Sequence, residues 1–267
     1  MRLNGKIALI MGGGQASGAD APVGNGRAVA MTFAREGAKV LVADRSPKAA
    51  AVTVEAVRAA GGVAEAQVAD VMVEAEIAEA VARAEDLWGG LDILYNNVGL
   101  SIEAGDAAVE DTDPDAFATI MSLNLRSMVL SSKHALPGMR ARRGGVIINV
   151  SSIAATETYP WVGYKTSKAA ILALTEQLAI QNAEYGIRAV TIAPGKIDTA
   201  MAVDARAKAW GRPREEIAAE RAASVPLGRQ GTAWDVANAA LFLASDEASF
   251  ISGVHLRLDG AAGCRVG

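Results

Sequence analysis

Tyr164 and Lys168 lie four positions apart, one turn apart on a single face of a helix. That face continues through Ile171 or Leu172, Thr175 and Leu178, so two ionisable groups sit on a mostly buried stripe. A phenol at its ordinary pKa of ~10 is a poor base near neutrality. A cation one turn away favours the phenolate and lowers that value, so the pair could take up and return a proton. An isolated Tyr-x-x-x-Lys also describes an ordinary surface tyrosine beside a lysine whose stem lies along the helix. Asn124 falls on a second stripe, with Phe117, Met121 and Met128, in a helix expected from about Pro114 to Met139. A buried amide needs partners, so Asn124 is either a structural plug or part of a polar network.

Glycines could do a different kind of chemistry. Gly12-Gly13-Gly14 and Gly24-Asn25-Gly26 would let main-chain N–H groups approach a phosphate at a helix N-terminus. The simple G-x-G-x-x-G spacing fails, because Gly12 and Gly24 are twelve positions apart. A glycine-rich surface loop is the alternative reading. Asp44 lies 18 residues after Gly26, close to the ~20 expected of an acid that binds adenosine ribose hydroxyls. Its alternative is a turn former in Asp44-Arg45-Ser46-Pro47. A carboxylate there would repel a 2′-phosphate, which favours NAD over NADP, while Arg45 beside it leaves NADP open.

These positions follow short aliphatic runs: Lys6–Met11, Lys39–Ala43, Val63–Val68, Leu91–Tyr95, Val146–Val150, Ile187–Ile192 and Val254–Leu258. Most are apolar throughout, as expected of strands covered on both faces. Alanine-rich amphipathic stretches separate them. Arg27–Glu36 should stop at Gly37, and Ala49–Ala60 at Gly61-Gly62. The expected fold is α/β: a Rossmann-like, doubly wound, parallel seven-stranded sheet with helices on both faces. The chain reads as one domain, 1–267. The stretch Ala200–Val225, between the sixth and seventh strands, is longer than a crossover requires and reads as an insertion for specificity. In such a sheet ligands bind outside the carboxyl ends of the strands. There the sequence places Gly12, Asp44, Asp70, Asn96-Asn97-Val98-Gly99, Ser151-Ser152 and Pro194-Gly195.

Composition narrows the classes. The 267 residues carry a net charge of −4, from 26 basic and 30 acidic side chains, without a long block of one sign. Nucleic acid is therefore not expected as a partner. No apolar run reaches the ~18 residues of a membrane span, and the N-terminus lacks a signal-peptide layout. Cys264 is the single cysteine, which suits a reducing compartment, and cytoplasm is the expected location. His134 and His255 lie far apart, so no metal site is expected. They read as structural or exposed.

Taken together, these positions resemble the short-chain dehydrogenase/reductase family over nearly the whole chain. The matching pieces are the divided glycine motif, Asp70-Val71, Asn96-Asn97-Val98-Gly99, Asn124, Asn149-Val150-Ser151-Ser152, Tyr164-x-x-x-Lys168, Pro194 to Thr199, Pro226-Leu227-Gly228-Arg229, Phe242–Ser245 and Asp259-Gly260. The resemblance implies hydride transfer between a nicotinamide cofactor and a secondary alcohol or ketone, in a homo-oligomer, a tetramer rather than a dimer. It makes Tyr164 the general acid/base, and Lys168 the group that lowers its pKa and binds the nicotinamide ribose. It makes Ser152 the hydrogen-bond donor to the reacting oxygen, and Asn124 the holder of a relay water. Cofactor contacts would come from Gly12, Gly24, Asn25, Gly26, Asp44, Asp70, Val71, Asn97, Gly99, Pro194, Gly195, Ile197 and Thr199.

The sequence departs from the family pattern in four places. Met11 replaces a usual threonine, Val98 a usual alanine, and extra residues lengthen the glycine loop, as a flap, a subunit contact or plain solvent loop. Ser152 precedes Tyr164 by twelve residues, one fewer than usual. Alignment of the Asn-x-Ser-Ser piece favours Ser152, whereas counting back from Tyr164 favours Ser151. Substrate candidates are Ala154, Thr156, Tyr159, Trp161 and Trp210. Arg206, Lys208, Arg212, Arg214 and Arg221 could receive an anionic substrate or form a solvated helix face with Glu215, Glu216 and Glu220. An NADP-dependent reductase of ketones or acyl-carrier substrates, and a non-catalytic dinucleotide-binding regulator, are the competing readings.

Overall fold

A computed structural model describes residues 1–15 and 22–264. The middle of the extended glycine loop, with Ser17 and Asp20, lies outside the described residues, and so does the question of a flap there.

Seven parallel strands form one sheet: β1 Ile7–Met11, β2 Lys39–Asp44, β3 Val63–Val68, β4 Ile93–Asn96, β5 Gly145–Val150, β6 Ile187–Pro194 and β7 His255–Leu258. Their order is β3-β2-β1-β4-β5-β6-β7. The chain therefore reverses its direction of winding between β1 and β4, and a crevice opens at that point. The helices are α1 Asn25–Arg35, α2 Pro47–Ala59, α3 Glu74–Trp88, α4 Pro114–Met121, α5 Ser127–Arg142, α6 Val162–Asn182, α7 Ala205–Trp210, α8 Arg214–Ala223 and α9 Ala233–Ala244.

Local chemistry sets the element ends. The Ser46 hydroxyl accepts the Ala49 N–H at 3.2 Å, with Pro47 as first helical residue, so α2 starts there. The side chains of Thr232 and Asp235 cap each other's main chain at the start of α9. After α1, Gly37 takes φ +91°, a conformation that halts the helix without strain.

One core packs α1, α2 and α9 against one face through Val29, Phe33, Val54, Val236 and Leu241. A second packs α3, α5 and α6 on the other through Ile77, Leu130, Met139 and Leu178. With few aromatics, small residues such as Ala28, Ala30, Ala237 and Ala240 bring the helices close. Both cores are aliphatic, and burial at about 25 cal/mol per Å² of apolar surface drives their assembly.

Three expectations need correction. β3 is not covered on both faces: Val63 and Val68 are exposed, because β3 pairs only with β2 at the sheet edge. The helix expected from Pro114 to Met139 is interrupted by a π-turn over Ser122–Arg126, with Asn124 at its middle. The fourth strand begins at Ile93 and runs to Asn96, two residues later at its start than expected.

Candidate active site

The carboxyl ends of β1, β4, β5 and β6 open into one cleft of about 750 Å³. Gly12, Gly24, Asn25, Gly26, Asn97 and Gly99 line one end, and Pro194, Gly195, Ile197 and Thr199 its wall. Ser152, Tyr164 and Lys168 lie at its centre, with Ala154, Tyr159, Trp161 and Trp210 beyond. Asp44, Asp70, Val71 and Asn124 do not line it.

The glycine end is built by close approach. Gly12 takes φ +77°, and a Cβ on it would lie 2.7 Å from a Val98 methyl. A Cβ on Gly26 would collide with the Gly12 carbonyl, and that same carbonyl accepts Nδ2 of Asn97 at 3.0 Å. Gly12 and Gly13 donate their N–H groups to the Ala43 carbonyl at 2.8 and 3.1 Å. Gly24, the N-cap of α1, offers no side-chain cap, and the first turn holds no acid. The helix start thus keeps unsatisfied N–H groups and a positive dipole end. Oδ1 of Asn25 is buried there without a partner among the described residues. This cradle fits the pyrophosphate of a dinucleotide.

Sequence reasoning gave Gln15 no role. Its buried amide accepts the Gly24 N–H at 3.0 Å and donates to the Pro22 carbonyl at 3.1 Å. It ties together the two ends of the extended loop. Asp44 closes the same corner, accepting the Gly14 N–H at 3.1 Å and the Ser46 N–H at 3.0 Å. Asp70 accepts the Met72 N–H at 2.9 Å, and Val71 is buried in the second core.

Ser151 and Ser152 divide the work after β5. The buried Ser151 hydroxyl donates to the Lys168 carbonyl at 2.7 Å and fixes α6 to the strand. The Ser152 hydroxyl accepts the Ala154 N–H at 3.1 Å and lies in the same cleft as Tyr164, whose phenolate it favours. Lys168 is 2% exposed. Its Nζ donates to the Val150 carbonyl at 2.9 Å and stands 5.5 Å from the Tyr164 ring centroid.

The expected depression of the Tyr164 pKa is absent. Burial pushes it up to about 12, the neighbouring Tyr159 adds to this, and Ser152, Arg206 and Arg221 oppose it. Burial also pushes Lys168 down to about 7. In this pocket desolvation outweighs attraction between the pair.

Asn124, wholly buried, accepts the Leu100 N–H at 2.7 Å. Its two N–H donors go to the Leu100 carbonyl at 3.0 Å and Oγ of Ser167 at 2.9 Å. The amide therefore pins the loop after β4 to α6, and its donors are not free for a relay water. Beneath the site, sequence reasoning missed a buried polar chain. Ser131 donates to Asn96, Asn96 to Asn149, and Asn149 to Thr175, at 2.8, 2.9 and 3.0 Å. Asp106 was also missed. Its carboxylate accepts the N–H groups of Gly163 and Tyr164 at 2.8 and 2.9 Å, at the start of α6.

Tyr159 stands between Tyr164 and Trp161, its ring centroid 5.3 Å from that of each, edge-on to Trp161 and tilted against Tyr164. The segment 200–225 folds as a π-turn, Ala200–Asp204, followed by α7 and α8, and covers this end. The solvated-face reading holds for Arg212 and Arg214, which form ion pairs with acids. It fails for Arg206 and Arg221, which line the cleft. Among other earlier candidates, His134 and His255 each meet a glutamate, Glu74 and Glu176, at 3.2 and 2.8 Å. Cys264 is an exposed free thiol. No helix among the described residues is long and apolar enough to cross a membrane.

Comparison with known proteins agrees with this geometry. The family described as enoyl-(acyl carrier protein) reductase matches residues 18–262. The 2-(S)-hydroxypropyl-CoM dehydrogenase 3 of Xanthobacter autotrophicus is 35% identical over 260 residues, covering 97% of either chain. The 2,5-dichloro-2,5-cyclohexadiene-1,4-diol dehydrogenase of Sphingobium indicum is 34% identical over 97% of this chain and 96% of its own. A crystal structure from Burkholderia xenovorans, assigned to the short-chain dehydrogenases/reductases, superimposes with a TM-score of 0.92 at 35% identity, covering 100% of this chain and 99% of its own. Matches of this extent, in sequence and in fold, establish that the chain belongs to the short-chain dehydrogenase/reductase family of oxidoreductases.

Proposed function

We propose that the protein is an NAD-dependent dehydrogenase of secondary alcohols, able to run in reverse as a ketone reductase. The observation that carries this reading is the gathering of Ser152, Tyr164 and buried Lys168 in one cleft, at the end of a glycine-lined cradle. When bound, a nicotinamide dinucleotide supplies the hydride acceptor or donor. The chain's residues handle the proton and the oxygen. Tyr164 removes the hydroxyl proton of an alcohol, or returns it to a ketone oxygen. Ser152 holds that oxygen and steadies the charge that develops on it. Lys168 holds the nicotinamide ribose, and Pro194, Gly195, Ile197 and Thr199 orient the ring. Asn124 acts through packing, by fixing Leu100 and Ser167. Glycines 12, 24 and 26, with Asn25, Asn97 and Gly99, hold the diphosphate and adenosine side, with Asp44 toward the ribose and Asp70 and Val71 toward the adenine.

The names of the two curated relatives, both dehydrogenases of hydroxylated compounds, support this direction. The family description, a reductase of acyl-carrier substrates, supports the NADP-dependent alternative; Asp44 speaks against it. A homo-oligomer, a tetramer rather than a dimer, in the cytoplasm completes the reading. Exposed Phe242 on α9, with Phe250 and Val254 in the segment that leads into β7, offers apolar surface for a second copy. The deciding experiment follows cofactor reduction spectroscopically while NAD or NADP is offered with a panel of secondary alcohols, sugars and cyclic diols. Turnover with NAD supports the proposal. Tight NAD binding without turnover of any substrate would favour the non-catalytic regulator.

A further inference from the structure

Arg206 and Arg221 are unlike the other arginines of the covering segment. Arg212 meets Glu216 at 3.3 Å and also pairs with Glu220; Arg214 meets Asp204 at 2.8 Å and also pairs with Asp198. Among the described residues, no carboxylate comes within 4.0 Å of Arg206 or Arg221. Both nevertheless line the cleft, one on α7 and one on α8.

Neutral acceptors aim them. Nη1 of Arg206 donates to the Ala202 carbonyl at 2.7 Å, and Nη2 lies 3.5 Å from the Tyr159 hydroxyl. Its guanidinium carbon stands 5.8 Å from the centroid of the Trp161 ring. Nε of Arg221 donates to Oε1 of Gln230 at 2.7 Å, and Nη2 to the Ile197 carbonyl at 3.3 Å. A guanidinium has five N–H donors in a fixed fork, so each keeps donors beyond these contacts. The acids nearby are engaged elsewhere. Glu157 pairs with Arg257, Glu220 with Arg212, and Asp198 with Arg214, although the charge of Asp198 also reaches Arg221. Glu103 stands exposed at the mouth.

Two like charges therefore share a half-buried pocket. Each reaches Tyr164, and Arg206 also acts on Arg221, whose pKa burial has already pushed down to about 10. Such an arrangement is unfavourable until an anion enters it. Forked guanidiniums match the oxygens of a carboxylate, sulfonate or phosphonate.

We propose that the substrate is a secondary alcohol or ketone bearing an anionic group, which Arg206 and Arg221 grip while the carbinol carbon lies against Ser152 and Tyr164. This rests on the hydride-transfer reading given above. The Tyr159 ring between Arg206 and Tyr164 sets the spacing, about one aromatic side chain from the reacting carbon to the anion. The two helices of segment 200–225 each contribute one arm.

The test compares matched ketones: levulinate and 5-oxohexanoate against levulinamide and 5-oxohexanamide, with reduced cofactor. Wild type should prefer the anionic member of each pair by about 10-fold or more in kcat/KM. The double substitution Arg206→Gln/Arg221→Gln should bring that ratio close to one, and Arg206→Lys should retain part of it. Circular dichroism and melting of each variant show whether it is folded. A second arm measures binding of propanesulfonate and butyrate, with butyramide as control, by calorimetry on the cofactor-loaded protein. Neutral ketones turned over as fast as anionic ones, or a preference that survives the double substitution, overturns the proposal and leaves the hydride-transfer reading standing. Arginine-dependent binding of propanesulfonate without turnover of any ketone supports the anion site and overturns the hydride-transfer reading.

Discussion

The carboxylate of Asp106 accepts the main-chain N–H of Tyr164 at 2.9 Å. It also accepts that of Gly163 at 2.8 Å. Both donors belong to the first turn of α6, whose N-cap, Trp161, offers no side-chain bond. An acid from a distant loop thus does the work of a cap and complements the helix dipole. It fixes the turn from which Tyr164 projects. Asp106→Ala should lower stability by about 1–2 kcal/mol and kcat/KM by about 10-fold through misplacement of the tyrosine. Asp106→Asn, which keeps one acceptor, should recover part of both. Urea unfolding and steady-state kinetics check the pair. Unchanged kinetics in the alanine variant would show that packing alone positions Tyr164.

Tyr164→Phe removes only the hydroxyl. It should lower kcat/KM by about 10²–10⁴-fold, the range for a lost general acid or base. NAD affinity, measured by fluorescence titration, should stay within about 3-fold, since the glycine cradle and α1 start are untouched. Retained turnover would refute the acid/base role.

Much of the fold was legible because buried parallel strands must be apolar and their helices must end at recognisable residues. β2, β5 and β6 sit where their aliphatic runs lie, and Gly37 stops α1 as its conformation demands. The pair Tyr164 and Lys168 was legible because helical spacing is short-range. Asp106, Gln15 and the chain from Ser131 to Thr175 were not. Each acts through contacts between residues far apart in sequence, such as the 58 positions between Asp106 and Tyr164. The edge position of β3 depends on strand order, which the composition of Val63–Val68 does not carry. Arg206 and Arg221 could not be told from Arg212 and Arg214 because charge spacing says nothing about which side chain faces the cleft.

Gln15 should matter to the cofactor more than to the chemistry. It bridges Pro22 and Gly24, and Gly24 is the entry to α1. Gln15→Ala leaves a half-buried N–H and a half-buried carbonyl without their partner and frees the loop ends. The Kd for NAD should rise by about 5- to 30-fold, with kcat at saturating cofactor within about 2-fold of wild type. Calorimetry and kinetics separate the two effects. A drop in kcat with unchanged Kd would place Gln15 in the catalytic step instead.

Lys168 makes stability depend on pH. Burial holds its folded pKa at about 7, against ~10.4 for the unfolded chain. Between these values the unfolded state binds a proton that the folded state does not, so stability rises with pH across that window. Below about pH 7 the whole cost of the buried cation is present. Tyr164 acts oppositely: with a folded pKa of about 12, it makes stability fall as pH rises from ~10 towards that value. In cofactor-free protein, Lys168→Met should flatten the rise between pH 7 and 10, a change on the order of a few kcal/mol. Urea midpoints measured across that range decide it. An undiminished slope in the variant would assign the dependence to other groups.

The proposed preference for NAD over NADP rests on Asp44. Each of its oxygens already accepts one N–H, from Gly14 at 3.1 Å and from Ser46 at 3.0 Å. The carboxylate is therefore locked in direction at the end of β2, with lone pairs left for a neighbouring pair of ribose hydroxyls. A 2′-phosphate at the same place would meet a fixed negative charge that cannot swing away. Asp44→Asn keeps one oxygen acceptor for the glycine turn but removes the charge, and Arg45 beside it is exposed and available to a phosphate. The ratio of kcat/KM for NAD over NADP should fall by about 10-fold or more, chiefly through a lower KM for NADP. Loss of activity with both cofactors would instead trace to the Gly14 and Ser46 contacts, which Asp44→Ser, with a shorter acceptor and no charge, tests separately. A selectivity ratio unchanged in folded Asp44→Asn would move the source of cofactor choice away from this carboxylate.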